Sequence, residues 1–204
     1  PQTHDLVLMR FTETGVVEWV RLIGGSSNEK DGSLAVGTEG NIYVMGSTYS
    51  SDLDFGFGAL PNAGANDAFL AKLDDAGECL WAKTYGGTSH DYGRDVLPGP
   101  DGSVYVSVDF RSSSIDLGDG PHPHDAERDT VLGRLDAEGT ALWSNGLPGA
   151  NFAPEPKLAS SRGGDLYLLG YTGVGVDYGA GPAPHPMDVL VKYDPEGTQI
   201  WTHN

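Results

Sequence analysis

One phrase recurs four times along this 204-residue chain. Its clearest copy runs from Asp67 to Asp74 and leads through Gly77 to Trp81, and the chain has four tryptophans, one for each copy. The tryptophans are 62, 62 and 58 residues apart and stand at Trp19, Trp81, Trp143 and Trp201. A period of this size, built from short strands and glycine-rich turns, is typical of an array in which each unit packs on its neighbours. A residue found in every unit is therefore interpreted as part of the fold.

Each repeat predicts four β-strands joined by tight turns. In the last copy Val189, Val191 and Tyr193 alternate with Leu190 and Lys192, which is the period of two expected for a strand. A glycine turn leads from this strand to the tryptophan strand, and a later strand is centred on a tyrosine. A long loop with the pattern Asp-x-Gly-x-Gly then returns to the next repeat. The tyrosines are Tyr43, Tyr105 and Tyr167, and the loop patterns begin at Asp54, Asp116 and Asp177.

This pattern predicts an all-β fold in which four-stranded antiparallel sheets pack face to face around an axis, as the blades of a β-propeller do. Residues 1–24 carry signals for only the last two strands of a unit, which makes them an outer half-blade. Three complete blades are expected at 25–86, 87–147 and 148–204. The chain 1–204 is thus interpreted as about three and a half blades of one larger propeller. Further segments or another chain are expected to complete the half-blade, because open strand edges promote association.

Three kinds of side chain are repeated in every unit, and each has a structural interpretation. The tryptophan is expected to fill the space between adjacent sheets, with its N–H donating to a backbone carbonyl. The glycine before it, as in Gly77, supplies the positive φ of a short hairpin turn. A basic residue is expected at a solvated strand end or beside a repeated aspartate. The basic residues are Arg10, Lys72, Arg134 and Lys192.

The composition fits such an array and argues against some partners. The 30 Gly and 13 Pro suit many tight turns. The net charge of −17 argues against binding to nucleic acid or to anionic membrane surfaces, because both require clustered Lys and Arg. No apolar run of about 18 residues is present for direct membrane insertion. The acidity favours solubility and suits extracellular surroundings.

The single cysteine, Cys79, rules out an internal disulfide framework. Other repeats have Val17, Ala141 and Gln199 at the equivalent position, so we expect a small half-buried side chain and not a nucleophile. The sequence starts at Pro1, without an initiator methionine or a signal-peptide pattern. We therefore expect a mature, excised or partly ordered piece of something longer.

The combined phrases resemble the SBBP family, a β-propeller repeat of bacterial secreted and surface proteins. The resemblance covers nearly the whole chain and implies a propeller of seven blades or a similar number. It also implies an extracytoplasmic location, typical of myxobacteria and related bacteria, and a scaffold without transferable catalytic residues. The matching segments are Asp67–Asp74 with Gly77, Leu80–Gly87, Asp91–Gly93, Asp101–Val106 and the Asp-aromatic-Gly-x-Gly loop. Departures occur at Leu147–Gly149, which replaces an aromatic-Gly-Gly phrase, and at Pro154–Pro156, which interrupts a strand.

Several clusters are candidates for metal binding. The aspartates of the Asp-x-Gly-x-Gly loops could supply hard oxygen ligands to calcium, although their spacing does not match an EF-hand and Gly with Asp is also common in turns. Two imidazoles beside Asp125 could bind a transition metal, but two histidines separated by one proline rarely converge on one ion, so the favoured interpretation is a stiff exposed loop. The candidate residues are Asp52, Asp54, Asp116 and Asp119; Asn66, Asp67, Asp74 and Asp75; and His122, His124 and His185.

The sequence assigns no catalytic, cofactor-binding or metal residue. It has no Gly-x-Ser-x-Gly elbow, phosphate-binding glycine loop or Cys-x-x-Cys pair. Its 29 acidic residues single out no acid–base pair. Calcium is the one cofactor considered, and the prediction is that no cofactor is bound.

The leading hypothesis is a non-catalytic extracellular or cell-surface scaffold that presents its loops to a protein or glycan partner. The loops at 50–66, 112–128 and 173–187 differ between repeats, so specificity is expected there. One alternative is a propeller enzyme, either a glycan-cleaving enzyme or a quinoprotein-like dehydrogenase, whose tryptophan-docking turn is similar to the Asp-x-x-Gly-x-x-x-Trp phrase. The other alternative is self-assembly into a ring or filament, which would bury the edge near residues 5–20 against another copy.

Overall fold

The computed structural model describes residues 3–124, 128–147, 156–174, 176–177 and 181–203. In these residues sixteen β-strands form three four-stranded antiparallel sheets, one two-stranded sheet and one short ribbon. The all-β prediction is confirmed, and the described residues do not close into a ring. They contain no helix of the length and apolar character that a membrane crossing needs.

The strands of each sheet follow one another along the chain. The first sheet pairs β1 (Leu6–Phe11) with β2 (Val17–Ile23). The second is a meander of β3 (Glu29–Val36), β4 (Ile42–Thr48), β5 (Asp67–Leu73) and β6 (Cys79–Tyr85). The third contains β7 (Asp91–Pro98), β8 (Val104–Phe110), β11 (Asp129–Leu135) and β12 (Ala141–Leu147), and the ribbon of β9 (Ser114–Asp116) and β10 (Pro121–Pro123) lies between β8 and β11. The fourth contains β13 (Lys157–Ser160), β14 (Leu166–Thr172), β15 (Met187–Tyr193) and β16 (Gln199–His203).

The hairpin turn before each tryptophan strand has one geometry, which the sequence explains. Asp74 Oδ1 accepts hydrogen bonds from the backbone N–H groups of Ala76 and Glu78, both at 2.9 Å. Gly77 then takes a φ of 77°, which a side chain with a Cβ adopts only with strain. A register shift follows in each of the four sheets, as in a turn closed by a glycine bulge. The predicted positive φ is confirmed at Gly15, Gly77, Gly139 and Gly197.

The apolar core lies between consecutive sheets. On β5, Phe69 and Leu73 pack towards the first sheet, whereas Ala68 and Leu70 pack towards the third. All four are buried, because each face of the second sheet is covered by a neighbouring sheet. The alternation read from the sequence therefore reports two buried faces of a central strand.

Two features depart from a regular repeat. The ribbon of β9 and β10 was not predicted, and it stiffens the loop that the sequence assigns to 112–128. The strand β13 has four residues, whereas β3 and β7 have eight, and it begins directly after Pro156. This agrees with the predicted interruption by proline; Pro154 and residues 148–149 of the other departure lie outside the described residues.

Candidate functional site

Three of the four tryptophans connect consecutive sheets. Trp81 Nε1 donates to the carbonyl oxygen of Ala137 in the next sheet at 3.0 Å, and its ring covers Gly139. The role predicted for these tryptophans, between sheets and bonded to a backbone carbonyl, is confirmed. The equivalent bonds, at 3.2 and 2.9 Å, join Trp19 to Asp75 and Trp143 to Pro195.

The repeated basic residue donates to the same carbonyl as the tryptophan. Lys72 Nζ donates to the Ala137 oxygen at 2.9 Å, next to the Trp81 bond. Arg10 and Arg134 bond the equivalent carbonyls. The structural interpretation of this position is supported, and an aspartate lies beside it in three repeats. These ion pairs join Arg10 to Asp75, Arg134 to Asp101 and Lys192 to Asp165.

The Asp-x-Gly-x-Gly loops use their aspartates to hold the loop backbone. Asp54 Oδ1 accepts from the N–H groups of residues 56–58 at 2.6, 3.0 and 2.9 Å. Asp116 Oδ1 accepts from Gly118 and Gly120 at 2.7 and 3.1 Å. These carboxylates act as turn caps, which is the ordinary chemistry of aspartate with glycine.

The other two calcium candidates are bonded elsewhere. Asp52 Oδ1 accepts from the Ser26 N–H at 2.7 Å, and this bond lowers the pKa of Asp52. Asp119 Oδ1 accepts from Ser144 Oγ at 2.5 Å. Within the described ranges no three His, Cys, Asp or Glu side chains gather as a metal-binding group. The structure therefore does not bring the four candidate aspartates together.

The second acidic cluster separates into two kinds of position. Asp74 and Asp75 belong to a hairpin turn, whereas Asp67 is buried beneath the loop before β5. A Cβ added at Gly86 would collide with carboxylate oxygens of both Asp67 and Asp91. Burial raises the pKa of Asp67; the N–H of residue 63 opposes this shift, and the Asp91 charge adds to it. Asp67 Oδ1 has no hydrogen-bond partner among the described residues.

Neighbouring Asn66 fixes the loop. Its Nδ2 donates to the carbonyl oxygen of Asp91 at 2.7 Å, and its Oδ1 lies 2.5 Å from His90 Nδ1. Asn66 is therefore a structural residue that ties the loop before β5 to the start of β7.

The histidine candidates do not converge. His122 Nε2 lies 2.6 Å from Ser144 Oγ, whereas His124 Nδ1 lies 3.3 Å from Asp129 Oδ2. His185 is exposed beside a proline carbonyl, and Asp125 lies outside the described residues. The half-buried Cys79 agrees with the structural interpretation, because burial raises the pKa of its thiol to about 11 and keeps it protonated.

A cluster of aromatic and basic side chains lies where β4, β7 and β11 meet the long loops. We call it the Tyr92 cluster, and its members are Tyr49, His90, Tyr92, Arg94 and Arg128. The rings of His90 and Tyr92 stack with centroids 6.2 Å apart and planes at 10°. The Cζ atoms of Arg94 and Arg128 lie 4.7 and 5.6 Å from the Tyr92 ring centroid. Both guanidinium groups thus make cation–π contacts with one phenol ring.

A buried aspartate anchors this cluster. Arg94 Nε donates to Asp109 Oδ2 at 2.8 Å, and Thr130 Oγ1 donates to Asp109 Oδ1 at 2.7 Å. Burial raises the pKa of Asp109, and the Arg94 charge opposes that shift. Arg94 is almost fully buried, whereas the Arg128 side chain keeps 22% of its surface exposed and lies 3.6 Å from the same carboxylate. Arg94 is therefore fixed, and Arg128 is accessible.

A second aromatic residue extends the cluster towards β3. The rings of Tyr49 and His90 lie 6.5 Å apart, and Lys30 Nζ lies 5.6 Å from the Tyr49 centroid. Burial, and then the neighbouring Tyr92, raise the pKa of the Tyr49 hydroxyl. Beside Lys30 the strand bulges at Asp31, which has a φ of 58°. Aromatic faces next to fixed cationic donors are suited to holding a flat or sugar-like ring with polar substituents.

The sequence analysis did not single out these residues. A usable signal was nevertheless present, because the members occupy positions that differ between repeats. Tyr92 corresponds to Lys30 one repeat earlier, Arg94 corresponds to Gly32, and Tyr49 corresponds to an arginine one repeat later. Tyr49 and Arg128 also border two of the three loops in which specificity was predicted.

Comparison with known proteins agrees with this architecture. Residues 18–54 match the family model of SBBP, a beta-propeller repeat. The match runs from β2 through β4, and it confirms the resemblance read from the sequence. The chain is thus an all-β array of antiparallel sheets, of which the stretch 18–54 is similar to a β-propeller repeat.

One curated relative is the regulatory protein FlaEY of Caulobacter vibrioides. It is 26% identical to this chain over 105 residues, which are 50% of this chain and 11% of FlaEY. The chain thus spans about a tenth of the length of that relative.

Proposed function

We propose that this protein is a non-catalytic β-propeller scaffold, located outside the cell or at its surface, that binds a protein or glycan partner through the Tyr92 cluster. One observation carries the proposal. Side chains repeated in every unit bond the next sheet, as Trp81 and Lys72 do, whereas unlike side chains gather beside the loops. A residue that differs from repeat to repeat is free to serve one site.

The cluster has the properties of a preformed binding surface. Arg94 is held by the buried Asp109, and the Tyr92 ring contacts the guanidinium groups of Arg94 and Arg128. Side chains fixed before binding lose little conformational entropy when a partner arrives. Long loops on a rigid sheet scaffold are also common positions for binding residues.

In this proposal the chain contributes about three and a half blades to a larger propeller. Residues 1–24 are an outer half-blade, and 25–86, 87–147 and 148–204 are complete blades. The grouping of strands into one two-stranded and three four-stranded sheets supports these borders. The net charge of −17 and the SBBP match at 18–54 support an extracytoplasmic location.

A glycan array tests the binding role. We expect the wild-type chain to bind a defined set of glycans on the array. The variants Tyr92→Ala and Arg128→Ala are expected to lose this binding. Phe57→Ala is the control, because Phe57 is an exposed aromatic residue outside the cluster. A parallel screen against immobilised extracellular proteins covers the protein partner. Retained binding by both cluster variants, or turnover of a bound glycan, would overturn the proposal.

Self-assembly is a second candidate function, and a separate observation favours it. Apolar residues on the free face of the first sheet are exposed, as Met9 and Leu22 show. The position of Met9 is taken one repeat later by Ala71, which is buried in the contact between the first and second sheets.

A further inference from the structure

Three basic side chains lie side by side at one end of the third sheet. The Arg111 N–H donates to the His90 carbonyl at 3.0 Å, which continues the ladder between β7 and β8 by one residue. On the other side of β8, Arg128 comes directly before Asp129, which pairs with Phe110. His90, Arg111 and Arg128 therefore occupy one row across three adjacent strands, and we call it the cationic row. The Cβ atoms of neighbours in such a row are about 5 Å apart.

The cationic row shares one face of the sheet with the Tyr92 ring. Side chains two positions apart along a strand point to the same face. His90 is thus on the face of Tyr92, against which it stacks, and Arg128 contacts the same ring. Arg111 follows Asp109 by two residues, and Asp109 pairs with Tyr92. The row and the phenol ring are therefore parts of one surface.

The described carboxylates on this face do not balance the charge of the row. Asp109 lies 2.8 Å from Arg94 and 3.6 Å from Arg128, so one carboxylate faces two guanidinium groups. Arg111 is exposed and has no ion pair within the described residues. Like charges side by side are unfavourable in a sheet, and a bound anion would relieve this repulsion. The two acids next to the row alternate with it along their strands and point to the opposite face. These acids are Asp91 and Asp129.

The arginines of the row have no charged counterpart in the two neighbouring sheets. In the second sheet their positions are taken by Tyr49 and Asn66. In the fourth sheet they are taken by Gly173 and Pro186. A residue that the fold requires recurs from unit to unit, as Trp81 does, so the charge of the row belongs to one site.

Basic side chains are scarce in this chain, and many of them serve the fold. There are 12 Lys and Arg against 29 Asp and Glu. Five of the 12 donate to backbone carbonyls of the next sheet: Arg10, Arg21, Lys72, Lys83 and Arg134. Two arginines placed together without such a carbonyl are therefore available to a ligand.

We propose that the Tyr92 cluster, together with Arg111, binds an acidic glycan, and that Arg111 and Arg128 hold the carboxylate or sulfate group of one sugar. Guanidinium groups form paired hydrogen bonds with such oxyanions. The sugar ring packs on the partly exposed phenol rings of Tyr49 and Tyr92, whose negative faces attract polarised C–H groups. This inference rests on the proposed binding function and specifies the chemical class of its ligand.

A short acidic glycan fits this surface better than an extended polyanion does. The net charge of −17 repels nucleic acid and anionic membranes, whereas a single acidic sugar needs only the local charge of the row. The third sheet also has a described sheet packed on each of its faces. The exposure of the row is therefore a property of the interior of the array.

A glycan array of matched pairs tests the ligand class. Each acidic glycan is printed beside the same glycan with its carboxylates converted to methyl esters or its sulfates removed. We expect the wild-type chain to bind acidic glycans and to lose at least about tenfold in affinity for their neutralised partners. Separate uronate and sulfate sets show which oxyanion is bound. Binding should also weaken as NaCl is raised from about 0.1 M to about 1 M, because the Debye length falls.

Variants that remove one charge test the residues. Arg111→Gln and Arg128→Gln are each expected to weaken binding of the acidic glycan by at least roughly tenfold, because a hydrogen bond to a charged group is lost. Arg162→Gln is the matched control, because Arg162 is an exposed arginine in the turn between β13 and β14, outside the row. It removes the same charge and should leave binding unchanged. Circular dichroism verifies the fold of each variant.

The outcomes separate this inference from the binding function. Equal affinity for acidic and neutralised glycans, with binding still abolished by Tyr92→Ala, would refute the ligand class and leave the function intact. Binding of an immobilised protein through Tyr92 with no glycan bound would do the same. Tighter binding of single-stranded DNA or of anionic vesicles than of any acidic glycan would also overturn the inference. Binding unaffected by Tyr92→Ala would refute the function itself.

Discussion

Trp143 and Arg134 donate to one backbone oxygen, the carbonyl of Pro195 in the next sheet, at 2.9 and 2.7 Å. Two donors on one acceptor fix the position of a turn that belongs to a different sheet. Apolar packing between sheets has no preferred direction, whereas a hydrogen bond requires a defined distance and angle. Such polar bonds therefore define how successive sheets are placed. Because the arrangement recurs at Trp19 and Trp81, it is a property of the repeat.

Removing one of these tryptophans should destabilise the array. Trp81→Ala is expected to lower the free energy of unfolding by about 3 kcal/mol, through lost burial and the loss of one of the two hydrogen bonds to the Ala137 carbonyl. Trp81→Phe keeps part of the burial and should cost about half as much. Urea denaturation followed by circular dichroism measures both. Trp201→Ala, assayed at high dilution, is the control; a larger loss there than at Trp81 would contradict the junction role.

The glycine beneath the tryptophan gives a second prediction. Gly139 has a φ of 75°, and an added Cβ would lie 3.0 Å from the Trp81 ring. Gly139→Ala should therefore lose about 1 kcal/mol to backbone strain and about 1 kcal/mol more to crowding. Gly15→Ala, at a φ of 81° with open space, isolates the strain alone. Equal losses in dilute chemical denaturation would show that the indole contact contributes nothing.

The repeat allowed much of the fold to be predicted, because each repeated residue has one local cause. The turn at Gly77 has a positive φ, which favours glycine, and Trp81 fills the space between two sheets. The apolar residues on β5 are explained by burial of both faces of that strand. These causes act in every unit, so one sequence displays them several times. The pairing of strands into sheets followed from the same spacing.

The candidate site was not predictable in this way. Tyr49, Tyr92 and Arg128 come from three separate segments, and sheet register brings them together. A search for chemical motifs instead selected Asp54 and Asp116, whose carboxylates are engaged by their own loops. The sequence shows that a carboxylate is present. It does not show which backbone N–H groups donate hydrogen bonds to that carboxylate.

A carboxylate on the first strand of the third sheet gives a third prediction. Asp95 Oδ1 accepts from Ser33 Oγ at 2.8 Å, and Asp95 Oδ2 accepts from the Leu158 N–H at 2.9 Å, so one side chain links β3, β7 and β13. Asp95→Ala should cost about 2 kcal/mol, because hydrogen bonds to a charged group are strong.

Ser33→Ala is the partial control, because it removes only the bond to β3 and should cost about 1 kcal/mol. Thermal melts and urea titrations of the two single variants and the double variant separate the contributions. If the stability loss of the double variant equals the sum of the losses of the two single variants, the contact between the two side chains is contradicted.

Asp67 gives the last prediction, on pH dependence. Burial raises the pKa of its carboxyl group in the folded protein, so the folded state holds its proton at a pH where the unfolded chain, near about 3.9, has released it. The contribution of Asp67 to stability is therefore complete below the unfolded pKa and is lost as pH rises through the folded pKa.

Asp67→Asn should remove this dependence, because its amide stays neutral over the whole range and can still accept the N–H of residue 63. Relative to wild type, the variant is expected to gain about 1 kcal/mol of stability between pH 4 and pH 7. Urea midpoints at several pH values measure the difference, and subtracting wild type cancels the titration of the other carboxylates. Asp188→Asn, at an exposed position, is the matched control and should show no such gain. A wild-type stability that rises with pH relative to Asp67→Asn would mean that the buried carboxylate is stabilised as an anion, and would contradict the prediction.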